Sequence, residues 1–388
     1  MKKKIETAIL SILAIGIVIS IIQISLGLAN IYNLIKYEFS SKKDLKISIS
    51  NMNPLVKSLS ADPDNSLFMK IIVRDNTGVP VPKAKVNISI SSSSNTEKDI
   101  GKISEIKFRT DQGGQYIISY KPPQYNKGIF DKDNSIYINA TISGSNISSK
   151  QEISLVKPPV ILVHGYQAYP FVMENMSDYL ISKGFSCSSL EYKSENGVVE
   201  GSKSLNKFIQ EQKLIYLEKG IQVNKFDIIA HSMGGLVARY YTCSDDYINN
   251  SDVRKIIFVS VPQKGCPWAP LAESYFNDVA IKDLMPDSVL LTKTLPGMLN
   301  KGLNSKIQIG SILGQYDEVV SQESASLDEW NIKTELFQIG GNSINFDNIL
   351  KGNFNESTNH MNILSNKKVF KKVENMLHDN LPYPSIKK

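Results

Sequence analysis

Residues Phe226-Asp-Ile-Ile-Ala230 form a short apolar run that leads directly into His231-Ser232-Met233-Gly234-Gly235 and then into the helix-like stretch from Leu236 to Tyr241. A chain that passes from strand to helix within so few residues needs small neighbours at the bend, because they let the backbone turn without clashes. Ser232 stands at the apex, where its Oγ is exposed. The G-x-S-x-G pattern for such a turn has Gly two residues before the serine, and Ala230 departs from it by one methyl. The run also fits an ordinary glycine-rich helix start, so the rest of the chain has to decide.

Upstream, Pro158-Pro-Val-Ile-Leu-Val163 reads as a fully apolar strand ending in His164-Gly165-Tyr166. If Ser232 is a nucleophile, one oxyanion N–H is expected from the residue after it, Met233. A second is expected from the loop after this earlier strand, where Tyr166 is the first choice and Gln167 the fallback. Downstream, Lys306 to Leu313 is strand-like and delivers Gly314-Gln-Tyr-Asp317-Glu318 at its end. Asp317 fits an orienting acid. Glu318 would take its place after a small shift in register, and otherwise contributes only charge near the site. A further strand over Glu335 to Ile339 leads through a polar loop to His360.

The chain has four histidines, His164, His231, His360 and His378. His164 belongs with the oxyanion loop, His231 adjoins the serine and is expected to point away from it, and His378 follows an amphipathic helix. His360 is left as the general base, and the chain order Ser232, Asp317, His360 suits this assignment.

With these residues in hand, residues 157–377 resemble the α/β-hydrolases, in particular the bacterial lipase and inositol-deacylase-like group. The resemblance is carried by Val160-Ile-Leu-Val-His-Gly-Tyr166, Ala230-His-Ser-Met-Gly-Gly235, Gly314-Gln-Tyr-Asp317 and His360-Met-Asn-Ile-Leu364. Val259-Ser-Val-Pro-Gln-Lys-Gly265 is similar to a Thr-Pro-x-x-Gly stretch of that group, with Val261 in place of Thr and Cys266 in place of the frequent Ser or Thr. The resemblance implies an α/β-hydrolase fold over residues 157–388 and an acyl-ester substrate.

The periodicity agrees independently. Phe185 to Tyr192 and Lys255 to Val261 are strand-like, and Leu205, Phe208, Ile209 and Ile215 mark one face of a helix over residues 202–217. Val369, Phe370, Val373 and Leu377 mark another over residues 367–377. Alternating strands and helices predict an α/β architecture with a mostly parallel sheet covered on both faces. Between the strand ending at Val261 and Asp317 lies an apolar insertion, residues 268–305, readable as a lid, a wall of the acyl pocket, or a helix packed on the sheet.

The amino-terminal 44 residues read as a membrane anchor or signal segment. Lys2-Lys3-Lys4 precedes Ala8 to Ala29, an uncharged run with eight isoleucines. As a helix it would be about 33 Å long, enough to cross a bilayer with the lysines inside. It exceeds a usual signal-peptide core, so a retained single-pass anchor is expected, with secretion after cleavage as the rival. Either way the rest of the chain is exported.

Residues 45–156 have a third texture. The stretches starting at Leu67, Ala84, Gly114 and Ser135 alternate apolar and polar residues between Gly, Pro, Asn and Asp turns, which predicts a β-sandwich. Asp75-Asn-Thr-Gly78 and Thr110-Asp-Gln-Gly-Gly114 resemble turns of bacterial immunoglobulin-like surface modules. No catalytic cluster is visible there, so a spacer or binding module is expected.

Composition narrows the partners. The net charge of +6 is spread along the chain without a basic helix or aromatic-interleaved patch, which argues against nucleic acid. Cys187, Cys243 and Cys266 do not make a disulfide framework, and no His, Cys and Asp cluster has zinc-ligand spacing, so no cofactor is expected. A calcium site of scattered carboxylates, the oligomeric state and the use of the N-x-[ST] sequons stay open. The expected chemistry is serine acyl transfer to water on a lipid-like ester. Two alternatives remain, an acyltransferase or thioesterase of the same fold and a surface adhesion protein on an inactive scaffold.

Overall fold

The computed structural model describes residues 20–32, 45–92, 99–105, 109–126, 134–340 and 359–387. The expected membrane segment falls partly outside them. Residues 20–32 are helical, residues 1–19 are not described, and among the described residues no helix is long and apolar enough to cross a membrane.

The chain forms two compact units, the first made of Met1–Pro54, Ser66–Lys121 and Ser135–Ser154. Its strands are β1 (Leu45–Asn51), β3 (Leu67–Asp75), β4 (Val86–Ser92), β5 (Lys102–Glu105), β6 (Gln115–Lys121), β7 (Ser135–Ile142) and β8 (Ser148–Val156, its last two residues belonging to the second unit). They make two antiparallel sheets, β1-β3-β6-β5 and β4-β7-β8. The two-residue period is visible in burial. Leu67, Met69, Ile71 and Val73 of β3 and Ile136, Ile138, Ala140 and Ile142 of β7 are buried while their neighbours are less so. The Asp turns close on their own side chains: Asp111 Oδ1 accepts from Gly113 and Gln115 N, both at 2.9 Å, and Asp75 Oδ1 accepts from Thr77 and Val79 N at the same distance.

The second unit contains residues 155–388 together with Leu55–Asn65 and Pro122–Asn134, two excursions from the region expected to form the sandwich. Each has a physical tie within this unit. Strand β2 (Ser58–Ser60) pairs in parallel with β11 (Ile221–Gln222), burying Leu59, and Tyr125 packs edge-on against Phe185 with its Oη 2.7 Å from His378 Nδ1.

At the centre of this unit is a six-stranded sheet of order β10-β9-β12-β13-β14-β15, made of Cys187–Leu190, Val160–Val163, Phe226–His231, Val253–Val259, Gln308–Gly314 and Glu335–Phe337. Every pair is parallel. Strands β12, β13 and β14 are buried at every position, the pattern of a sheet covered on both faces, and this is why they read as continuous apolar runs. The Gly197–Glu218, Met233–Cys243 and Lys367–His378 helices supply the apolar faces that the periodicity marked.

Two charged residues inside β13 break the apolar run. Arg254 is paired with Asp227 of β12, and both are buried. Lys255 sends its Nζ to the carbonyls of Met376 and Leu377, each at 3.0 Å, and to that of Asp379, so it caps the end of the Lys367–His378 helix, where carbonyls lack intrahelical donors. Burial, and next the neighbouring Arg254 charge, push the Lys255 ammonium down to about 8. Below that value folded and unfolded chains are both protonated, and the folded state bears the full desolvation penalty. Between about 8 and the usual lysine range the folded chain holds fewer protons, so the contribution of Lys255 to stability rises with pH. Denaturant titrations at about pH 7 and about pH 10 should show wild type gaining on Lys255→Met.

Candidate active site

Because the sheet is parallel, the carboxyl ends of its strands share one edge, and the residues that follow β9, β12 and β14 meet there. Ser232 lies between β12 and the Met233–Cys243 helix with φ 53° and ψ −132°, in the half of the map that side chains avoid. The bend is closely packed. A Cβ on Gly165 would come within 2.7 Å of Ser232 Cβ, and one on Gly234 within 2.4 Å of the His164 carbonyl. These contacts explain why the serine is flanked in space by residues without side chains. Ala230, fully buried, is accommodated where the pattern has glycine.

The three side chains anticipated from chain order lie within hydrogen-bonding distance of one another. His360 Nε2 is 3.0 Å from Ser232 Oγ, and His360 Nδ1 lies 3.1 and 3.0 Å from Asp317 Oδ1 and Oδ2. A carboxylate can only accept, so the proton of the neutral ring sits on Nδ1 and leaves Nε2 free to receive the serine hydrogen. Asp317 Oδ1 also accepts from Val319 N at 3.0 Å and Val320 N at 2.8 Å. Burial alone would raise this carboxyl, but the adjacent His360 and the backbone donor outweigh it and hold it below the usual aspartate range.

Glu318 is not a bystander. It accepts from Asn359 N at 3.1 Å through Oε1 and from His360 N at 3.3 Å through Oε2, whereas the sequence suggested only a nearby charge. His231, expected to point away from the serine, is buried beside His360 and lines the same cavity as Ser232. It donates Nε2–H to the His360 carbonyl at 3.0 Å, its ring 4.6 Å from that of His360. Burial, followed by the His360 charge, lowers His231 to about 3, so it stays a neutral donor. His360 is reached from β15 through residues 341–358, which lie outside the described residues.

The candidate oxyanion donors flank the serine bend. Met233 opens its helix, so its N–H has no intrahelical acceptor. Gln167, the fallback, gives its N–H to Ser194 Oγ at 2.9 Å, which favours Tyr166 for the second donor. The loop carrying Tyr166 is pinned by Tyr192, whose Oη donates to the His164 carbonyl at 2.9 Å and whose ring stacks on that of His164 at 4.6 Å. The Tyr166 hydroxyl donates to Asp278 Oδ2 at 2.5 Å, while Asp278 Oδ1 caps the Val279–Leu284 helix through Ile281 N at 3.0 Å. Asp278 is legible as an N-cap before an apolar turn; its bond to Tyr166 is not.

Beside Ser232 opens an apolar cavity of about 60 Å³ bounded by Trp268, Ala269, Ala272, Ile281 and Leu284 of the insertion, together with Cys266 and Val319. The first part of the insertion is therefore pocket wall, while Leu290, Leu295 and Leu303 are buried in the core, so each half follows one of the readings open to it. All three cysteines are free thiols, and burial pushes that of Cys266 up to about 11.

Residues 195–346, a span that contains Ser232 and Asp317, match the family model of the PGAP1-like alpha/beta domain. The fold is an α/β-hydrolase fold. Among solved structures the chain is similar to the lipase BlEst2 of Bacillus licheniformis in mature form, at 14% identity over 57% of this chain and 92% of that one, with a TM-score of 0.42. It is also similar to esterase B from Lactobacillus rhamnosis, at 14% identity over 62% and 78% of the two chains and a TM-score of 0.40. A third likeness is to the phospholipase PlaB from Legionella pneumophila, at 17% identity over 41% and 38% of the two chains and a TM-score of 0.33. No curated protein matches the sequence. The fold rests on the sheet order and the matched span.

Proposed function

We propose that the chain is a serine hydrolase of acyl esters, lipid-like in class, held at a membrane by its amino-terminal segment with both compact units exported. The observation that carries this reading is the Ser232, His360 and Asp317 hydrogen-bond chain, at 3.0 Å for each link, at the mouth of an apolar cavity. In the proposed reaction Ser232 Oγ attacks the acyl carbon while His360 Nε2 takes its proton. The N–H groups of Met233 and Tyr166 hold the oxyanion, and Asp317 stabilises the imidazolium. The leaving alcohol departs with the proton from Nε2. Water then repeats the sequence on the acyl-serine and restores the enzyme. The first unit, in this reading, is an immunoglobulin-like spacer, a role suggested by its strand spacing and Asp turns.

The full chain, expressed in membranes and washed with high salt and carbonate, provides the test. A fluorophosphonate probe should label it in the pellet, and a panel of p-nitrophenyl esters should be hydrolysed. An unlabelled, inert protein would sink the enzymatic reading, and labelled protein released to the supernatant would sink the anchor.

A further inference from the structure

One short turn holds His360 and its neighbour from several sides. The Tyr316 carbonyl accepts from Asn359 Nδ2 at 2.8 Å, Asp317 takes the ring Nδ1–H, and the two Glu318 oxygens take the successive N–H groups of Asn359 and His360. Glu318 is itself only 5% exposed, and its carbonyl accepts from Trp268 Nε1 of the pocket wall at 3.0 Å. A buried carboxylate is an expensive acceptor, and a neutral one would suffice for a single bond. What a carboxylate supplies, and an amide does not, is two acceptor oxygens facing two adjacent donors. His231 grips the carbonyl side of the same residue, so the backbone of His360 is fixed at both ends.

We infer that Glu318 is a positioning residue for the serine reaction, setting the distance between His360 Nε2 and Ser232 Oγ by clamping the Asn359 and His360 N–H groups. This rests on the hydrolase reading above and adds to it a carboxylate that never touches substrate. Displacing a general base by about 1 Å lowers turnover by as much as about 100-fold while leaving the binding surface intact. Glu318→Gln keeps one acceptor but turns an NH₂ towards the other N–H, which pushes the His360 backbone away. Its predicted signature is therefore a fall in kcat without a rise in KM.

The test compares wild type, Glu318→Gln, Glu318→Asp and the exposed control Glu323→Gln in the full chain, by fluorophosphonate labelling rate and by kcat and KM on a short-chain p-nitrophenyl ester. Glu318→Gln should label about 10- to 100-fold more slowly, with kcat lowered in parallel, KM within about twofold, a cooperative melt, and Glu323→Gln like wild type. Unchanged labelling of Glu318→Gln beside a labelled wild type overturns the inference alone. A raised KM at unchanged kcat also overturns it, since that would place the effect in the pocket wall through Trp268. If Glu318→Gln does not melt cooperatively, Glu318→Asp decides. Its shorter reach should slow labelling at least about threefold, and wild-type rates would overturn the inference. An unlabelled wild type overturns the hydrolase reading together with this one.

Discussion

Replacing Ser232 with alanine should abolish covalent labelling by serine-directed phosphonates and lower kcat by about 10⁴- to 10⁶-fold, the range seen when a triad serine is lost. The folded state should survive, because alanine keeps the Cβ that already tolerates φ 53° and ψ −132° between Gly165 and the helix start. The same backbone makes Ser232→Gly a sharper companion. Glycine enters that region freely, so it should relieve strain on the order of 1–3 kcal/mol and melt several degrees above Ser232→Ala while being equally dead. Persisting labelling of a well-folded Ser232→Ala would remove Ser232 from the reaction.

Asp317→Asn comes next in expected size, at about 10⁴-fold in kcat. The reason is visible in the partners of the carboxyl. Oδ1 is held by the N–H groups of Val319 and Val320, so an asparagine must keep its oxygen there and turn its NH₂ towards His360 Nδ1. Nδ1 then has to accept, the ring proton moves to Nε2, and Nε2 is no longer able to take the serine hydrogen. The contrast with the milder loss expected of Glu318→Gln separates a residue acting on the ring from one acting on the backbone. Should Glu318→Gln prove the crippling change and Asp317→Asn the mild one, the orienting role moves to Glu318.

What the sequence makes legible follows from where information is local. Strands β12, β13 and β14 announce themselves because a parallel strand buried on both faces has no solvent-facing polar side to confuse the pattern, and the charged residues within them are only Asp227, Arg254 and Lys255. Those three compensate one another or a helix end, contacts that no window of neighbouring residues contains. The serine bend is legible because its constraint, small residues in a fixed order, lies within six positions. The clamp made by Glu318 is hidden for the opposite reason. Its partners are 41 and 42 residues away and are backbone N–H groups, which leave no trace in side-chain identity. In the first unit β1, β5 and β8 are the strands the pattern does not single out. Strand β8 opens on Ser148-Ser-Lys-Gln-Glu152, with no apolar row until Ile153 and Leu155, and the apolar row of β1 is only Leu45, Ile47 and Ile49.

The segment that walls the cavity leaves the sheet after β13 and returns to it at β14, and these two strands are hydrogen-bonded neighbours. Its endpoints are therefore held side by side by the sheet whatever the segment between them contains. Lengthening such a segment raises its closure entropy only slowly, by about 0.6 kcal/mol per doubling. In the proposed reading the pocket wall can therefore be exchanged as one cassette while Ser232, Asp317 and His360 stay on other loops, provided the replacement keeps the Trp268 bond to the Glu318 carbonyl and the Asp278 bond to the Tyr166 hydroxyl. The junctions near Ser260 and Ile307 are then the places to cut, and Trp268 and Asp278 are the two anchors a new wall has to reproduce.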